Sequence, residues 1–293
     1  MNARSLFSAY LELSKPRILL LVLVTTTIGY YLGAKGLIAL PLYIRLLVGV
    51  ALTCAGSSAL NHYLEREYDS KMERTQNRPI PAGVVIPSHA LAFGICLVLL
   101  GIAVLTTQVN LLTAFLCLLA AFLYIVVYTP MKRVSAFCTT VGAIPGAIPP
   151  LAGWAAATGA LNFDAFMLFL ILFIWQHPHF YAITWMFRED YQRAGFKILR
   201  RIQPDGTVTL SHIQWCTLAL IPVSLVPALT GLSGHFYFVG ILSSGTALLF
   251  VTNRLVRSRS NADAKKLLQA TVMYIPVFFL LIVLDSTFNF HSP

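Results

Sequence analysis

Apolar residues along this chain form long continuous runs that are separated by short polar connections. Runs of about 18 residues or more are long enough for an α-helix to cross the hydrocarbon core of a bilayer. They predict nine membrane-spanning helices, at residues 18–34, 42–63, 88–107, 111–128, 135–157, 163–187, 209–231, 236–256 and 267–284. We therefore expect an all-α fold, a polytopic membrane helical bundle that forms one integral membrane domain over residues 1–293.

The fifth run differs from a plain membrane anchor because it is rich in helix-breaking residues. Broken backbone at membrane depth is tolerated only where it is buried in protein or lines a cavity. The run therefore predicts an interrupted helix beside a pocket. The residues concerned are Gly142, Pro145, Gly146, Pro149, Pro150 and Gly153.

Composition and charge agree with a membrane protein and indicate its orientation. The chain has 293 residues, of which 57% are hydrophobic and only 11% charged, and this excludes a soluble domain. Nineteen of the 21 Lys and Arg residues fall in the N-terminal segment and the even-numbered connections, and only Lys35 and Arg45 lie opposite. The positive-inside rule then predicts a cytoplasmic N-terminus and an outside C-terminus. The net charge of +10 is thus a topology signal and does not indicate nucleic acid.

The densest charged stretch, residues 61–83, directly follows the second apolar run. Asn61, Glu65 and Asp69 recur every four residues, so a continued helix would present an amide and two carboxylates on one face over about 12 Å. Oxygen ligands of this kind suit Mg²⁺, which keeps waters and bridges to substrate phosphates. We expect Asp69 to lie at an exposed cytoplasmic mouth. The alternative is an ordinary amphipathic helix end at the membrane surface.

Cations follow these oxygen ligands and suit the phosphates of a metal-bound substrate. Lys71, Arg74 and Arg78 come next in the same stretch, and Lys132 and Arg133 follow the fourth run. Lys132 and Arg133 could equally serve only to fix the topology by the positive-inside rule. Phosphate binding and topology anchoring therefore both remain open for these two residues.

The sixth run carries a second unusual group, with Trp175, His177 and His179 around Pro178. Polar residues at this depth are a functional hypothesis by default, although a buried histidine is often only a core residue. The two histidines lie roughly 15 Å deeper in the membrane than the acidic exit of the same run.

That exit holds Arg188, Glu189 and Asp190, with Lys197 further on, on the same side as Asp69. Acidic exits after the second and sixth runs predict a parallel four-helix pseudo-repeat, spans 1–4 and 5–8, with a ninth helix appended. Two carboxylate groups would then converge on one cytoplasmic mouth.

At these residues the chain resembles the intramembrane prenyltransferase superfamily of quinone and haem biosynthesis, and within it the branch that acts on haem. His62 stands where the superfamily usually has Asp. The matching segments are Ser14-Lys15-Pro16-Arg17, the stretch from Asn61 to Pro79, Tyr128-Thr129-Pro130 with Lys132-Arg133, and Trp175-Gln176-x-Pro178-His179-Phe180 leading to Asp190-Tyr191.

The resemblance implies transfer of a farnesyl group from farnesyl diphosphate to the C2 vinyl of haem b, with addition of water, to give haem O. It implies Mg²⁺ as cofactor, contact with haem A synthase or a terminal oxidase assembly, and a bacterial inner membrane or its equivalent. The implied metal ligands are Asn61, Glu65, Asp69, Glu189 and Asp190. The implied diphosphate ligands are Lys71, Arg74, Arg78, Lys132, Arg133, Arg188 and Lys197, and the implied haem contacts are Trp175, His177 and His179.

Three other functions fit parts of the pattern. Prenylation of an aromatic acid or quinone precursor would use the same site without binding a porphyrin. A carrier for Mg²⁺ or an organic anion would continue polar residues to the outer side, where the connections hold only Lys35, Arg45 and Asp164. A non-catalytic haem assembly factor would have no use for Asn61, Glu65 and Asp69.

Overall fold

The computed structural model describes residues 5–193 and 206–291, and all regular secondary structure in these ranges is helical. The helices are α1 (Leu6–Leu13), α2 (Pro16–Gly33), α3 (Leu40–Asp69), α4 (Pro87–Gln108), α5 (Leu111–Phe122), α6 (Thr129–Met131), α7 (Cys138–Thr158), α8 (Phe163–Met186), α9 (Arg188–Arg193), α10 (Thr207–Leu229), α11 (His235–Ser258) and α12 (Asn261–His291). A π-helical segment, Leu123–Tyr128, joins α5 to α6 without a break.

Eight helical stretches in the described part of the chain are long and apolar enough to cross a membrane. They correspond to the predicted spans except the fifth, whose helix α7 has 21 residues but is not among the eight. The all-α polytopic bundle is thus confirmed, and the count of nine spans stays a prediction.

The second span continues as one helix into the charged stretch, as the sequence predicted. Helix α3 runs for 30 residues and ends at Asp69, with Ser70 as its C-cap. The chain then turns irregularly until α4 begins at Pro87. Proline suits the first helical position because it lacks only an N–H that would have no partner there. The extension of α3 carries Asn61, Glu65 and Asp69 on one rigid element.

The predicted interruption of the fifth span is wrong, because α7 is continuous from Cys138 to Thr158 with three prolines inside it. Its small residues instead permit close packing against α2. A Cβ on Gly29 would lie 2.0 Å from the Pro150 carbonyl oxygen, and one on Gly153 would lie 2.0 Å from the Thr26 carbonyl oxygen. Glycine is required where two helix backbones approach this closely.

Neighbouring helices pack in chain order in both halves of the bundle. Helices α2 to α5 contact one another in sequence, as do α7, α8, α10 and α11, and the two groups meet where α2 packs on α7. Helix α12 packs against α8 and α11. The parallel pseudo-repeat itself stays a prediction.

Candidate active site

Three buried polar residues on α3 form the centre of the candidate site. Asn61, Glu65 and Asp69 are 0%, 5% and 1% exposed, so all three lie inside the protein. The expectation that Asp69 sits at an exposed mouth is therefore wrong. Polar groups can be buried only when charge or hydrogen bonding compensates for the lost water.

Each of these residues has one cationic partner. The Lys15 Nζ lies 2.5 Å from Asn61 Oδ1, the Lys132 Nζ lies 2.7 Å from Glu65 Oε1, and an Arg78 nitrogen lies 2.7 Å from Asp69 Oδ2. Distances this short are typical of charge-assisted hydrogen bonds. The structure thus brings the predicted metal ligands of α3 together with two predicted diphosphate cations and with one lysine that the sequence did not assign.

Lys15 reaches Asn61 from the junction between α1 and α2. Its backbone is left-handed, with φ 49° and ψ 65°, a conformation that costs a residue other than glycine about 1–3 kcal/mol. Its ammonium also donates to the Tyr124 hydroxyl at 3.1 Å. Burial lowers the pKa of Lys15 to about 7, although the nearby Glu65 carboxylate acts to raise it. Lys15 therefore presents a poorly solvated amine to the Asn61 amide, and its protonated fraction falls as the pH rises through about 7.

The π-helical segment supplies aromatic walls for these lysines. Tyr124 and Tyr128 stack with ring centroids 5.6 Å apart, and the Lys132 ammonium lies 4.5 Å from the Tyr128 ring centroid. Burial is the largest single influence on Lys132 and acts to lower its pKa, but the Glu65 carboxylate, together with Tyr128 and Tyr124, raises that pKa well above its usual value. Lys132 is accordingly a permanent cation here.

Arg133 lies beside this cluster and is not bound to any of its carboxylates. Its guanidinium donates to the Leu64 carbonyl at 2.6 Å and lies 4.3 Å from the Tyr68 ring centroid. Its buried Nε has no hydrogen bond. This predicted cation is therefore close to the α3 residues and keeps one unused donor.

The second acidic group borders an open cavity of about 450 Å³ at the α8–α9 junction. Arg74 reaches it from the stretch after α3, donating to the Tyr191 hydroxyl at 3.3 Å. Asp190 is 14% exposed and lies 3.9 Å from Arg193, whereas Glu189 is exposed. The cavity is lined by Glu73, Arg74, Met186, Phe187, Glu189, Asp190, Arg193 and Asn261.

Two other predicted diphosphate residues, Lys71 and Arg188, are not brought to the α3 cluster. Lys71 is exposed, with its ammonium 5.6 Å from the Tyr68 ring centroid. Arg188 donates to the Trp185 carbonyl and to Asn261 Oδ1 at the start of α12. Lys197 lies outside the described residues.

The fit of a metal ion can be judged from the oxygen atoms present. Within residues 5–193 and 206–291, no three His, Cys, Asp or Glu side chains come together as a metal-binding group. Asp69 Oδ1 and Asp190 Oδ1 are nevertheless buried without a hydrogen bond. Mg²⁺ usually takes only one or two carboxylates and completes its coordination with waters and substrate phosphates. Glu65, Asp69 and the Asn61 amide fit that requirement when a diphosphate is present.

The two histidines of α8 make different contacts. His177 lies 2.8 Å from the Phe173 carbonyl and 3.4 Å from the Thr140 hydroxyl of α7. His179 lies 3.0 Å from the Thr271 hydroxyl of α12 and stacks on Trp175, whose indole N–H donates to the Thr271 carbonyl. His179 and Trp175 thus belong to the packing of α8 on α12, whereas His177 faces α7.

Sequence reasoning missed several site residues because their partners are distant in the chain. Lys15 and Tyr124 are examples, as is Thr129, which accepts a hydrogen bond from the Asn61 amide nitrogen. His62 is buried, and neither of its ring nitrogens has a hydrogen bond. The available signals were the Lys15 motif before the first span and the unusual His62 after Asn61.

Comparison with known proteins gives a consistent result over nearly the whole chain. Protoheme IX farnesyltransferase from Solibacter usitatus (strain Ellin6076) is 45% identical over 286 residues, which cover 94% of this chain and 98% of that protein.

Solved structures share the fold at low sequence identity. A structure of digeranylgeranylglyceryl phosphate synthase has a TM-score of 0.82 at 16% identity, covering 97% of this chain and 99% of that one. A structure of a UbiA homolog from Archaeoglobus fulgidus bound to DMAPP and Mg²⁺ has a TM-score of 0.69 at 16% identity, covering 94% and 99%. Residues 22–282 also match the family described as the UbiA prenyltransferase family. The chain therefore belongs to the UbiA prenyltransferase family.

Proposed function

We propose that this protein transfers the farnesyl group of farnesyl diphosphate to the C2 vinyl of haem b and adds water, giving haem O. The observation that carries the proposal is the buried set of oxygen ligands on α3, each paired with one cation. The 45% identical relative named protoheme IX farnesyltransferase supports haem as the acceptor.

The metal and diphosphate roles follow from the chemistry of the side chains. Asn61, Glu65 and Asp69 would hold Mg²⁺ directly or through water, with Asp190 contributing from the second acidic group. A bound Mg²⁺ would neutralise charge on the departing diphosphate. Arg78, Lys132 and Arg133 lie beside the α3 residues, and we assign them to the diphosphate oxygens. Arg74 borders the cavity, which would be the entrance for the head group.

The reaction needs charge stabilisation more than a strong base. The allylic carbon–oxygen bond of farnesyl diphosphate breaks, and its electron pair leaves with the diphosphate. The terminal carbon of the vinyl group forms the new carbon–carbon bond, and water captures the resulting cation and releases one proton. Fixed cations around the leaving group favour the first step because they meet charge as it develops.

The acceptor would lie deeper in the bundle than the diphosphate. Of the two histidines on α8, His177 faces α7. Helix α7 in turn packs close to the Tyr128 ring at Gly142, and the Lys132 ammonium lies over that same ring. His177 is therefore the better candidate to contact haem b. Contact with haem A synthase or a terminal oxidase assembly stays a prediction.

The protein is a multi-pass membrane protein, and we propose a single domain in a bacterial inner membrane or its equivalent. The cations of the α3 cluster and of the cavity belong to the predicted cytoplasmic side. An N-terminus inside and a C-terminus outside would place the diphosphate site at that side, where a water-soluble head group can enter.

The direct test uses purified protein in detergent with haem b, farnesyl diphosphate and Mg²⁺, and looks for haem O by mass. Parallel reactions replace haem b with a hydroxybenzoate or a naphthoate. Haem O formed only with Mg²⁺ would support the proposal. Prenylation of an aromatic acid with no reaction on haem would instead assign the protein to the quinone branch, and no product in any reaction would contradict a prenyltransferase.

A further inference from the structure

The three proposed metal ligands of α3 and the three cations beside them are matched one to one. Lys15 comes from the α1–α2 junction, Arg78 from the stretch after α3, and Lys132 from the segment after α6. Each contacts a different oxygen at 2.5–2.7 Å. Three separate parts of the chain have thus each brought one cation to one ligand atom.

A metal ion and an ammonium group cannot use these oxygens together at full strength. Mg²⁺ requires contacts of about 2.0–2.1 Å and would repel a cation held against the same oxygen. Asp69 Oδ1 has no hydrogen bond and stays open to a metal. A metal that arrives alone and also takes the three paired oxygens must displace the cations, which then lose their carboxylate or amide partner while partly buried, at a substantial cost. A diphosphate that arrives alone would meet the carboxylates of Glu65 and Asp69 and be repelled.

We propose that Lys15, Arg78 and Lys132 are resident counter-ions that exchange partners when metal and diphosphate arrive together. Asn61, Asp69 and Glu65 turn to the metal, and the three cations turn to the diphosphate oxygens. The site thereby selects the metal–diphosphate complex against either component alone. This rests on the proposed function and adds Lys15 as a residue that contacts the leaving group.

The surroundings of the lysines favour such an exchange. Both have long flexible side chains, and each is already supported by a second group: the Tyr124 hydroxyl for Lys15 and the Tyr128 ring for Lys132. These tyrosines hold the ammonium groups beside the cluster after they leave Asn61 and Glu65. The exchange therefore requires side-chain rotation without any movement of helices.

Calorimetric titration of detergent-purified protein tests the exchange without any turnover. Mg²⁺ alone and Mg²⁺ with inorganic pyrophosphate are titrated into the wild type, Lys15→Met and Lys132→Met. Each variant is expected to bind Mg²⁺ alone at least about tenfold more tightly, because the lysine no longer competes with the metal for a ligand oxygen. Each is expected to bind Mg²⁺–pyrophosphate at least about tenfold more weakly, because one charge-assisted contact with the pyrophosphate is lost. The opposite signs distinguish partner exchange from a general loss of structure.

Two further variants serve as controls. Arg133→Met removes a neighbouring cation that is bound to the Leu64 carbonyl and not to a ligand oxygen, and its Mg²⁺ affinity should rise by less than about threefold. Lys265→Met removes an exposed lysine at the start of α12 and should change neither affinity.

The outcomes separate this inference from the proposed function. If the wild type does not bind Mg²⁺–pyrophosphate, the proposed function fails. If the wild type binds the complex but both lysine variants keep the wild-type affinity for Mg²⁺ alone, the partner exchange is wrong. Lys132→Met leaves Glu65 unpaired and risks misfolding, whereas Lys15→Met uncovers only a neutral amide, so Lys15→Met decides the question if Lys132→Met is not monodisperse.

Discussion

His177 and His179 direct their imidazoles to different neighbours of α8. One reaches Thr140 on α7 and the other reaches Thr271 on α12. Residues two positions apart in an α-helix point about 200° apart around its axis. The imidazole of His177 therefore cannot replace that of His179, and the reverse is also true. The two histidines therefore have separate roles and can be tested as single variants.

We expect His177→Ala to lose haem binding, measured as the loss of the Soret change on titration with haem b. His179→Ala should keep that change and lower the unfolding midpoint, because it removes the Thr271 hydrogen bond and the Trp175 stacking contact. Both variants should still bind farnesyl diphosphate with Mg²⁺. Normal haem binding by His177→Ala would show that His177 is a packing residue and does not contact haem.

Asp69→Asn should lower haem O formation by at least about 100-fold, because it removes charge that we propose holds the metal at the leaving group. The same change weakens the ion pair with Arg78 and should lower the free energy of unfolding by about 1.5–3 kcal/mol. Product mass and denaturation in detergent measure the two effects. Glu67→Gln is the matched control, since Glu67 is exposed on the same helix and forms its ion pair with Arg66, away from the cluster. Substantial Mg²⁺-dependent activity in Asp69→Asn would place the metal elsewhere.

Arg78→Gln should raise the KM for farnesyl diphosphate roughly tenfold to a hundredfold, the value of one charge-assisted contact. A fall in kcat as well would mean that the contact strengthens as the diphosphate leaves. Steady-state kinetics with varied farnesyl diphosphate measure both constants. Arg66→Gln provides the comparison, because Arg66 lies over the Tyr63 ring and contacts none of the cluster oxygens. If Arg78→Gln and the wild type have the same kcat and the same KM for farnesyl diphosphate, Arg78 does not contact the diphosphate and serves only to fix the topology.

Gly29→Ala should destabilise the protein by at least about 1–3 kcal/mol, because its new Cβ would lie 2.0 Å from the Pro150 carbonyl oxygen and force α2 away from α7. Gly33→Ala on the same helix should cost less, since its Cβ would meet the Trp154 side chain at 3.2 Å. Thermal unfolding in detergent compares the two variants. Similar midpoints would show that the α2–α7 contact adapts easily.

The sequence by itself determined the class of fold and the position of the three proposed metal ligands on α3. Long apolar runs have one stable solution in a bilayer, the helix, because it satisfies its own backbone. A spacing of four residues then placed Asn61, Glu65 and Asp69 on one face of α3, because helical periodicity is a local property. Both predictions depended only on residues that are near one another in the chain.

Only the tertiary structure decided which groups meet. Lys15 and Lys132 reach α3 from 46 and 67 residues away, and no local pattern connects them with Asn61 and Glu65. Packing also decided that the prolines of α7 stay within one helix and that His177 and His179 face different neighbours. These features depend on how each helix is rotated against the next, and that rotation is set by close contact between distant segments such as Gly29 and Pro150.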